Sequence, residues 1–139
     1  MLAVNHFITI IISIILLSLS AFAGSNKSLV YTGRVIKPDG RPLESSNVQF
    51  TVGIYTPGTE DCVLYEETQN INMTDSLGAF SLKIGEGTRT AGYLGSQMEV
   101  VFQNDTAFTG LTCASGTTFD PTASINNTER ILKVSFNAG

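Results

Sequence analysis

Residues 48–55 read Val-Gln-Phe-Thr-Val-Gly-Ile-Tyr, and this stretch decides the fold. Its branched and aromatic apolar side chains recur at every second position: Val48, Phe50, Val52 and Ile54. Successive side chains of a β-strand point to opposite faces of the sheet, so this period of two predicts a strand with one buried and one wet face. Beyond the amino-terminal segment, no stretch shows helical periodicity. The sequence therefore predicts an all-β domain.

The same pattern recurs on both sides of this strand. Further strands are predicted at residues 29–36, 62–68, 79–84, 97–103 and 130–136. Turn formers separate them; in Lys37-Pro38-Asp39-Gly40 the proline fixes φ and the Asp-Gly pair tolerates positive φ. Residues 85–96 and 105–128 read as loops, and the second is long enough to be functional or to contain a short strand. Some six to eight strands of this kind favour a single antiparallel β-sandwich.

The first 23 residues have the composition of a secretory signal peptide. An apolar block at residues 7–19 leads into Ala21-Phe22-Ala23, the small-x-small pattern at which signal peptidase cleaves. The alternative is a retained transmembrane anchor, but the block is interrupted by serine and threonine and is shorter than the ~18 apolar residues that a spanning helix needs. We therefore predict a cleaved signal peptide over residues 1–23, one β-sandwich domain over residues 24–139, and no membrane insertion after cleavage.

The sequence contains two cysteines, Cys62 and Cys113. An exported chain enters an oxidising compartment, where two cysteines of a small domain usually pair. The alternative is two unpaired thiols. We predict a disulfide between them, and closing a loop of about 50 residues would stabilise the fold by roughly 4 kcal/mol in the chain-entropy model.

The composition argues against several classes of function. There are 8 Lys and Arg and 12 Asp and Glu, and because the basic residues are dispersed we expect no nucleic acid and no anionic membrane as a partner. The only histidine, His6, lies in the predicted signal peptide, so the exported domain has no imidazole for acid–base catalysis or zinc. Glu66 and Glu67 are adjacent on a predicted strand, so they should point to opposite faces, and we expect both to be solvated. The sequence predicts a non-enzyme without catalytic residues, cofactor or metal.

Three aromatic residues in the predicted loops suggest a second interpretation. Tyr93 lies in the 85–96 loop, and Phe108 and Phe119 lie in the 105–128 loop. Such rings can stack on sugars while neighbouring Asn and Thr side chains hydrogen-bond to hydroxyl groups. Burial of the rings against the end of the sandwich is the competing interpretation. Exposure of two of them on one surface would favour a secreted carbohydrate-binding module.

The order of the motifs resembles that of a known family. Residues 31–43, Tyr-Thr-Gly-Arg-Val-Ile-Lys-Pro-Asp-Gly-Arg-Pro-Leu, are followed by the strand at Val48 and then by segments 62–67, 78–85 and 130–134. This arrangement is similar to the amino-terminal domain of large fibre-like surface adhesins of predatory bacteria. More loosely, it resembles prealbumin-like and carboxypeptidase regulatory-like sandwiches.

The resemblance implies a non-catalytic, prealbumin-like sandwich in an extracytoplasmic location: the periplasm, the outer cell surface or the medium. We expect a structural or interaction module of a bacterial surface fibre, acting as its base or as a docking domain. The expected partners are proteins, either copies of this chain, with a homotrimer as the implied assembly, or other fibre subunits. A surface glycan is the alternative partner.

Overall fold

The computed structural model describes residues 28–92, 98–123 and 128–138, so the predicted signal peptide and Tyr93 lie outside the described residues. Eight strands occur in the described part: β1 Leu29–Arg34, β2 Val48–Tyr55, β3 Val63–Ile71, β4 Ala79–Ile84, β5 Thr88–Gly92, β6 Phe108–Thr109, β7 Thr118–Phe119 and β8 Ile131–Asn137. One 3-10 helix, Met98–Phe102, lies between β5 and β6. The predicted all-β class and strand number are confirmed.

The strands form antiparallel sheets that pack as a β-sandwich. The large sheet has the order β5-β3-β2-β8, the small sheet consists of β1 and β4, and β6 and β7 form a short separate pair. The pairing of β2 with β8 is regular and places Phe50 opposite Phe136 and Val52 opposite Val134. The predicted antiparallel sandwich is therefore confirmed.

The hydrophobic core lies between the large and small sheets. The predicted apolar face of β2 is buried along its whole length, with Val48, Phe50, Val52 and Ile54 at most 2% exposed. From the small sheet, β4 contributes Leu82 and Ile84, which are equally buried. Full burial of a side chain of this kind contributes about 1.5–3 kcal/mol, so this layer supplies most of the stabilisation.

One side of the sandwich is closed by the chain itself, and the opposite side is open. The turn at residues 85–87 leads from β4 in the small sheet to β5 at the edge of the large sheet. The backbone N–H groups of Gly85 and Gly87 donate to Glu67 on β3, so this turn is held against the large sheet. β1 pairs with β4, and its Tyr31 ring connects through Phe80 to Phe50 of β2. Among the described residues, no strand pairs with the outer edge of β1 or of β8.

The segment from residue 97 to 103 differs from its prediction. It was expected to be a strand with Met98, Val100 and Phe102 on one face, but its described residues 98–102 form the 3-10 helix. Met98 and Val101 are buried while Phe102 is 43% exposed. This spacing of three is the period of a 3-10 helix, whose side chains at i and i+3 share one face.

The two predicted loops also contain strands. Residues 85–96 include β5, which pairs with β3 although its sequence, Thr-Arg-Thr-Ala-Gly, has no apolar alternation. The prediction of a loop there was wrong because a polar edge strand has no apolar period to reveal it. Residues 105–128 contain β6 and β7, which pair Phe108 with Phe119. The expectation of a short strand in that segment is confirmed.

The predicted disulfide between Cys62 and Cys113 is present. Cys62 is fully buried just before β3. Hydrogen bonds between backbone groups flank the bridge, from Val63 N to Thr112 O and from Ala114 N to Glu60 O, each 2.8 Å long. The bridge and these bonds together fasten the segment around residue 113 to the start of β3.

Replacing Cys62 with serine should lower the free energy of unfolding of the oxidised protein by about 4 kcal/mol, within the range usual for native disulfides. The reason is that the bridge closes a loop spanning 51 residues and so restricts the unfolded chain. Urea denaturation of the two proteins measures the difference. With reductant present, their midpoints should nearly coincide. Two reactive thiols in the native wild-type protein would contradict this account.

Candidate interaction surface

The outer edge strand of the large sheet exposes apolar side chains that face inward. Leu132, Val134 and Phe136 lie opposite buried residues of β2, so they share the inner face, as the period of two predicts. Val134 is half-buried, but Leu132 is 42% exposed and Phe136 is 48% exposed. No described strand of the small sheet covers these two side chains.

The edge strand of the small sheet shows the same feature. Leu29 and Tyr31 lie opposite the buried Ile84 and Leu82 of β4, so their side chains belong to the inner face. They are nevertheless 46% and 37% exposed. These two residues and the two of β8 all belong to the inner face of strands whose outer edge pairs with no described strand. We call Leu29, Tyr31, Leu132 and Phe136 the open flank.

A row of aromatic rings connects the open flank to the core. The Tyr31 ring lies 5.9 Å from the Phe80 ring, measured between centroids. Phe80 lies 4.6 Å from Phe50, which in turn lies 5.8 Å from Phe136. The inner members are buried or half-buried, whereas the two terminal rings reach solvent. The exposed apolar surface is therefore a continuation of the core, and a partner that covered it would extend that core.

The chemistry of β8 leaves this edge open to pairing. Monomeric β proteins usually protect an edge strand with charges, proline or a bulge. β8 has the sequence Ile-Leu-Lys-Val-Ser-Phe-Asn, without proline, and its pairing with β2 shows no bulge. Its single charge, on Lys133, is paired with both carboxylate oxygens of Asp61 at 2.6 Å and lies 4.2 Å from the centre of the Tyr55 ring. Lys133 is therefore the only protective device of this kind along the strand, and its charge is neutralised by Asp61.

A buried carboxylate lies on the opposite, closed side of the sandwich. Glu67 is fully buried on the inner face of β3, so the expectation that it is solvated was wrong. Its oxygens accept hydrogen bonds from the Tyr65 hydroxyl, from Gln69 Nε2 at 2.7 Å and from the backbone N–H groups of Gly85 and Gly87 at 3.1 and 3.0 Å. A buried carboxylate is tolerated when several donors satisfy its oxygens in this way.

Glu66, the neighbour of this buried carboxylate, points outward. It accepts hydrogen bonds from the Tyr55 hydroxyl at 3.0 Å and from Thr90 Oγ1 at 2.8 Å. The prediction that the two carboxylates point to opposite faces is therefore confirmed. Because they lie on opposite sides of the sheet, they cannot converge on one substrate atom.

The hydrogen bonds of the polar cluster around Glu67 have a structural role. Burial and the hydrogen bond to Glu67 raise the pKa of Tyr65 well above its ordinary value, so this hydroxyl remains a protonated donor. The Arg89 guanidinium lies 4.1 Å from the centre of the Tyr65 ring. The carboxylate is out of contact with solvent and so with any substrate. What the cluster does is hold the turn between β4 and β5 against β3.

The predicted ligand-binding aromatics do not form an exposed surface in the described residues. Phe108 and Phe119 are 4% and 7% exposed, and their rings lie 6.3 Å apart. The Arg130 guanidinium lies 5.0 Å from the centre of the Phe119 ring. Both rings are therefore engaged by the protein itself. Tyr93, outside the described residues, has no position to compare with them.

A groove in the described part of the chain is a weaker candidate for a functional site than the open flank. A groove of about 300 Å³ is lined by Thr68, Gln69, Asn70, Ile71, Glu86, Gly87 and Thr88. Sugar and cofactor sites are usually lined by apolar and aromatic groups, whereas this lining has no aromatic ring. Within residues 28–92, 98–123 and 128–138, no cluster of three or more His, Cys, Asp or Glu could hold a metal ion. Across the same ranges, no helix is long and apolar enough to span a bilayer.

Sequence reasoning placed the β8 residues on one face but missed the open flank. Period-two alternation shows which side chains share a face, not whether another element covers that face. A weak signal was available in β8 itself, since Lys133 is the only charge in a strand of seven residues. Edge strands that face solvent usually carry more charge.

One comparison with known proteins identifies the family to which the chain belongs. No curated protein and no solved structure matches the chain, so the prealbumin-like resemblance stays a prediction. A family model described as a domain of unknown function, DUF8740, matches residues 30–138. The match runs from the second residue of β1 past the end of β8, and the chain therefore belongs to the DUF8740 family.

Proposed function

We propose that this protein is a non-catalytic, extracytoplasmic interaction module that serves as the base or docking domain of a bacterial surface fibre or adhesin. The open flank is the observation that carries the proposal. Four inner-face apolar side chains are between 37% and 48% exposed along two unpaired strand edges. Contiguous exposed apolar surface of this kind marks a site of protein association.

Two features support an extracytoplasmic location. The Cys62–Cys113 disulfide is of the kind that persists in oxidising compartments. The amino-terminal 23 residues have the composition of a cleavable export signal. Both features fit a domain that folds after export and then joins an assembly on the cell surface.

The arrangement of polar groups supports a non-catalytic role. Glu67, the carboxylate with the richest set of hydrogen-bond partners, is sealed from solvent. The exported part of the chain contains no histidine. The carbohydrate-binding alternative relied on three aromatic rings, and the burial of Phe108 and Phe119 removes two of them from the accessible surface.

Immunogold labelling of intact native cells tests this function. We expect label on surface fibres for the wild-type protein. The flank variant Leu132→Asp/Phe136→Asp should lose this label and appear in the medium, because charges on the open flank prevent docking. A matched control, Ser81→Asp/Thr109→Asp, places charges on exposed positions of β4 and β6, which are not paired with each other, and should keep wild-type labelling.

Two outcomes would contradict the proposal. The first is wild-type label that appears only after cells are permeabilised. The second is equal surface labelling of the flank variant and the wild-type protein. Urea denaturation of the purified flank variant should still show one cooperative transition, with a loss of at most about 3 kcal/mol, because both replaced side chains are already about half exposed. That comparison separates lost docking from lost folding.

A further inference from the structure

We propose that β8 pairs with β8 of a second copy of this chain, antiparallel and about a two-fold axis that passes through Val134. This inference rests on the proposed function, because it names the partner that the open flank receives. The resulting dimer would contain one continuous sheet of eight strands, four from each copy. An interface of this kind is isologous, so the same strand must be complementary to itself.

The sequence of β8 meets that requirement in one register. With Val134 opposite Val134 of the second copy, the five central residues of the strand, from Leu132 to Phe136, all lie opposite a residue of the second copy. Leu132 then lies opposite Phe136 of the second copy, so inner-face apolar residues meet each other. Any other two-fold register shortens the paired segment.

The charges favour the same register. Lys133 lies opposite Ser135 of the second copy, on the outer face. Moving the axis by one residue, to Lys133, would instead place the two lysines directly opposite each other, which is unfavourable between paired strands. In the proposed register, each lysine keeps its ion pair with Asp61 of its own chain.

The geometry of the sandwich extends the contact beyond β8. Each small sheet lies on the inner face of its large sheet, and the Tyr31 ring of β1 connects through Phe80 and Phe50 to Phe136 of β8. Leu29 and Tyr31 of both copies would then border the same interior as Leu132 and Phe136. The whole open flank would be enclosed, which pairing of β8 with an unrelated polar strand would not achieve.

Light scattering of the full-length chain, expressed with its own leader and purified after export, is the first test. We expect the mass of two copies at micromolar concentration. Ser135→Lys should raise the dimer dissociation constant at least about 100-fold, because it opposes Lys133 of the second copy in both halves of the interface. Ser135→Glu should leave the dimer intact. Ser81→Lys, an equally exposed position on β4, is the matched control and should remain dimeric.

A cysteine at the axis tests the register directly. Val134→Cys should form a covalent dimer under mild oxidation, since residues directly opposite in antiparallel strands have Cα atoms about 4.5–5.5 Å apart, within disulfide reach. Ser81→Cys should not form one. Failure of Val134→Cys to cross-link in a dimeric protein would overturn the proposed register.

The outcomes separate this inference from the proposed function. A wild-type monomer or trimer in solution would overturn the two-fold pairing, and surface labelling that still depends on the open flank would then indicate a different subunit as its partner. A dimer without surface labelling would support the pairing and contradict the proposed function.

Discussion

Replacing Phe50 with alanine should lower the free energy of unfolding by about 4 kcal/mol, in the range measured for buried phenylalanines. The Phe50 ring is fully buried on β2 and lies at the centre of the aromatic row, between Phe80 at 4.6 Å and Phe136 at 5.8 Å. Removing the ring lowers the stability in two ways: the free energy of transferring the ring out of water is lost, and a cavity remains between the two sheets. Urea denaturation followed by circular dichroism measures the change.

Phe136 provides the matched control for this prediction. It is the same residue type in the same aromatic row, but it is 48% exposed. In the Ser135→Lys background, which should be monomeric, Phe136→Ala should therefore lower the free energy of unfolding by less than half as much as Phe50→Ala, because solvent reaches the Phe136 ring and little cavity forms. Equal losses for the two replacements in that background would show that the Phe50 layer is not the core.

Replacing Glu67 with alanine should also cost about 4 kcal/mol, since each buried donor left without an acceptor costs about 1–3 kcal/mol. The affected donors are the Tyr65 hydroxyl, Gln69 Nε2 and the backbone N–H groups of Gly85 and Gly87. Amide hydrogen exchange at the two glycines should accelerate more than exchange at the centre of β2. Urea denaturation gives the total change in the free energy of unfolding.

Glu66 is the control for the buried carboxylate, because it is the adjacent residue of the same type on the outer face. Its two hydrogen bonds, to Tyr55 and Thr90, lie at the surface of the sheet. Glu66→Ala should cost at most about 1 kcal/mol, since water replaces the lost acceptor. If both variants lost the same stability, the buried cluster would not be holding the turn.

The elements that were predictable from the sequence are those whose apolar pattern fits a strand and does not also fit a helix. β2, β4 and β8 alternate strictly, and each was placed correctly with the correct side chains on one face. Met98, Val100 and Phe102 also alternate, but Met98 and Val101 fit a period of three equally well. Tertiary contacts bury Met98 and Val101, and the segment is therefore a 3-10 helix and not a strand. Short apolar runs therefore remain ambiguous until their packing partners are known.

The candidate site was harder to predict because it depends on pairs of distant segments. The donors to Glu67 at Gly85 and Gly87 come from a turn 18 and 20 residues further along the chain. Likewise, the exposure of Leu132 and Phe136 follows from the small size of the sheet that faces them, which no local pattern encodes. The homotrimer implied by the resemblance stays a prediction, and the symmetry of β8 now offers a two-fold alternative to it.

The buried carboxylate of Glu67 also has a consequence for how the two central strands find their alignment. A slip of one residue between β2 and β3 would turn Glu67 outward and bring Glu66 into the interior. A slip of two residues would keep the faces but carry the carboxylate about 7 Å away from the N–H groups of Gly85 and Gly87. Purely apolar side chains would tolerate the second error. A single buried carboxylate therefore disfavours mispaired hairpins of β2 and β3 during folding, and it lies on the side of the sandwich away from β8.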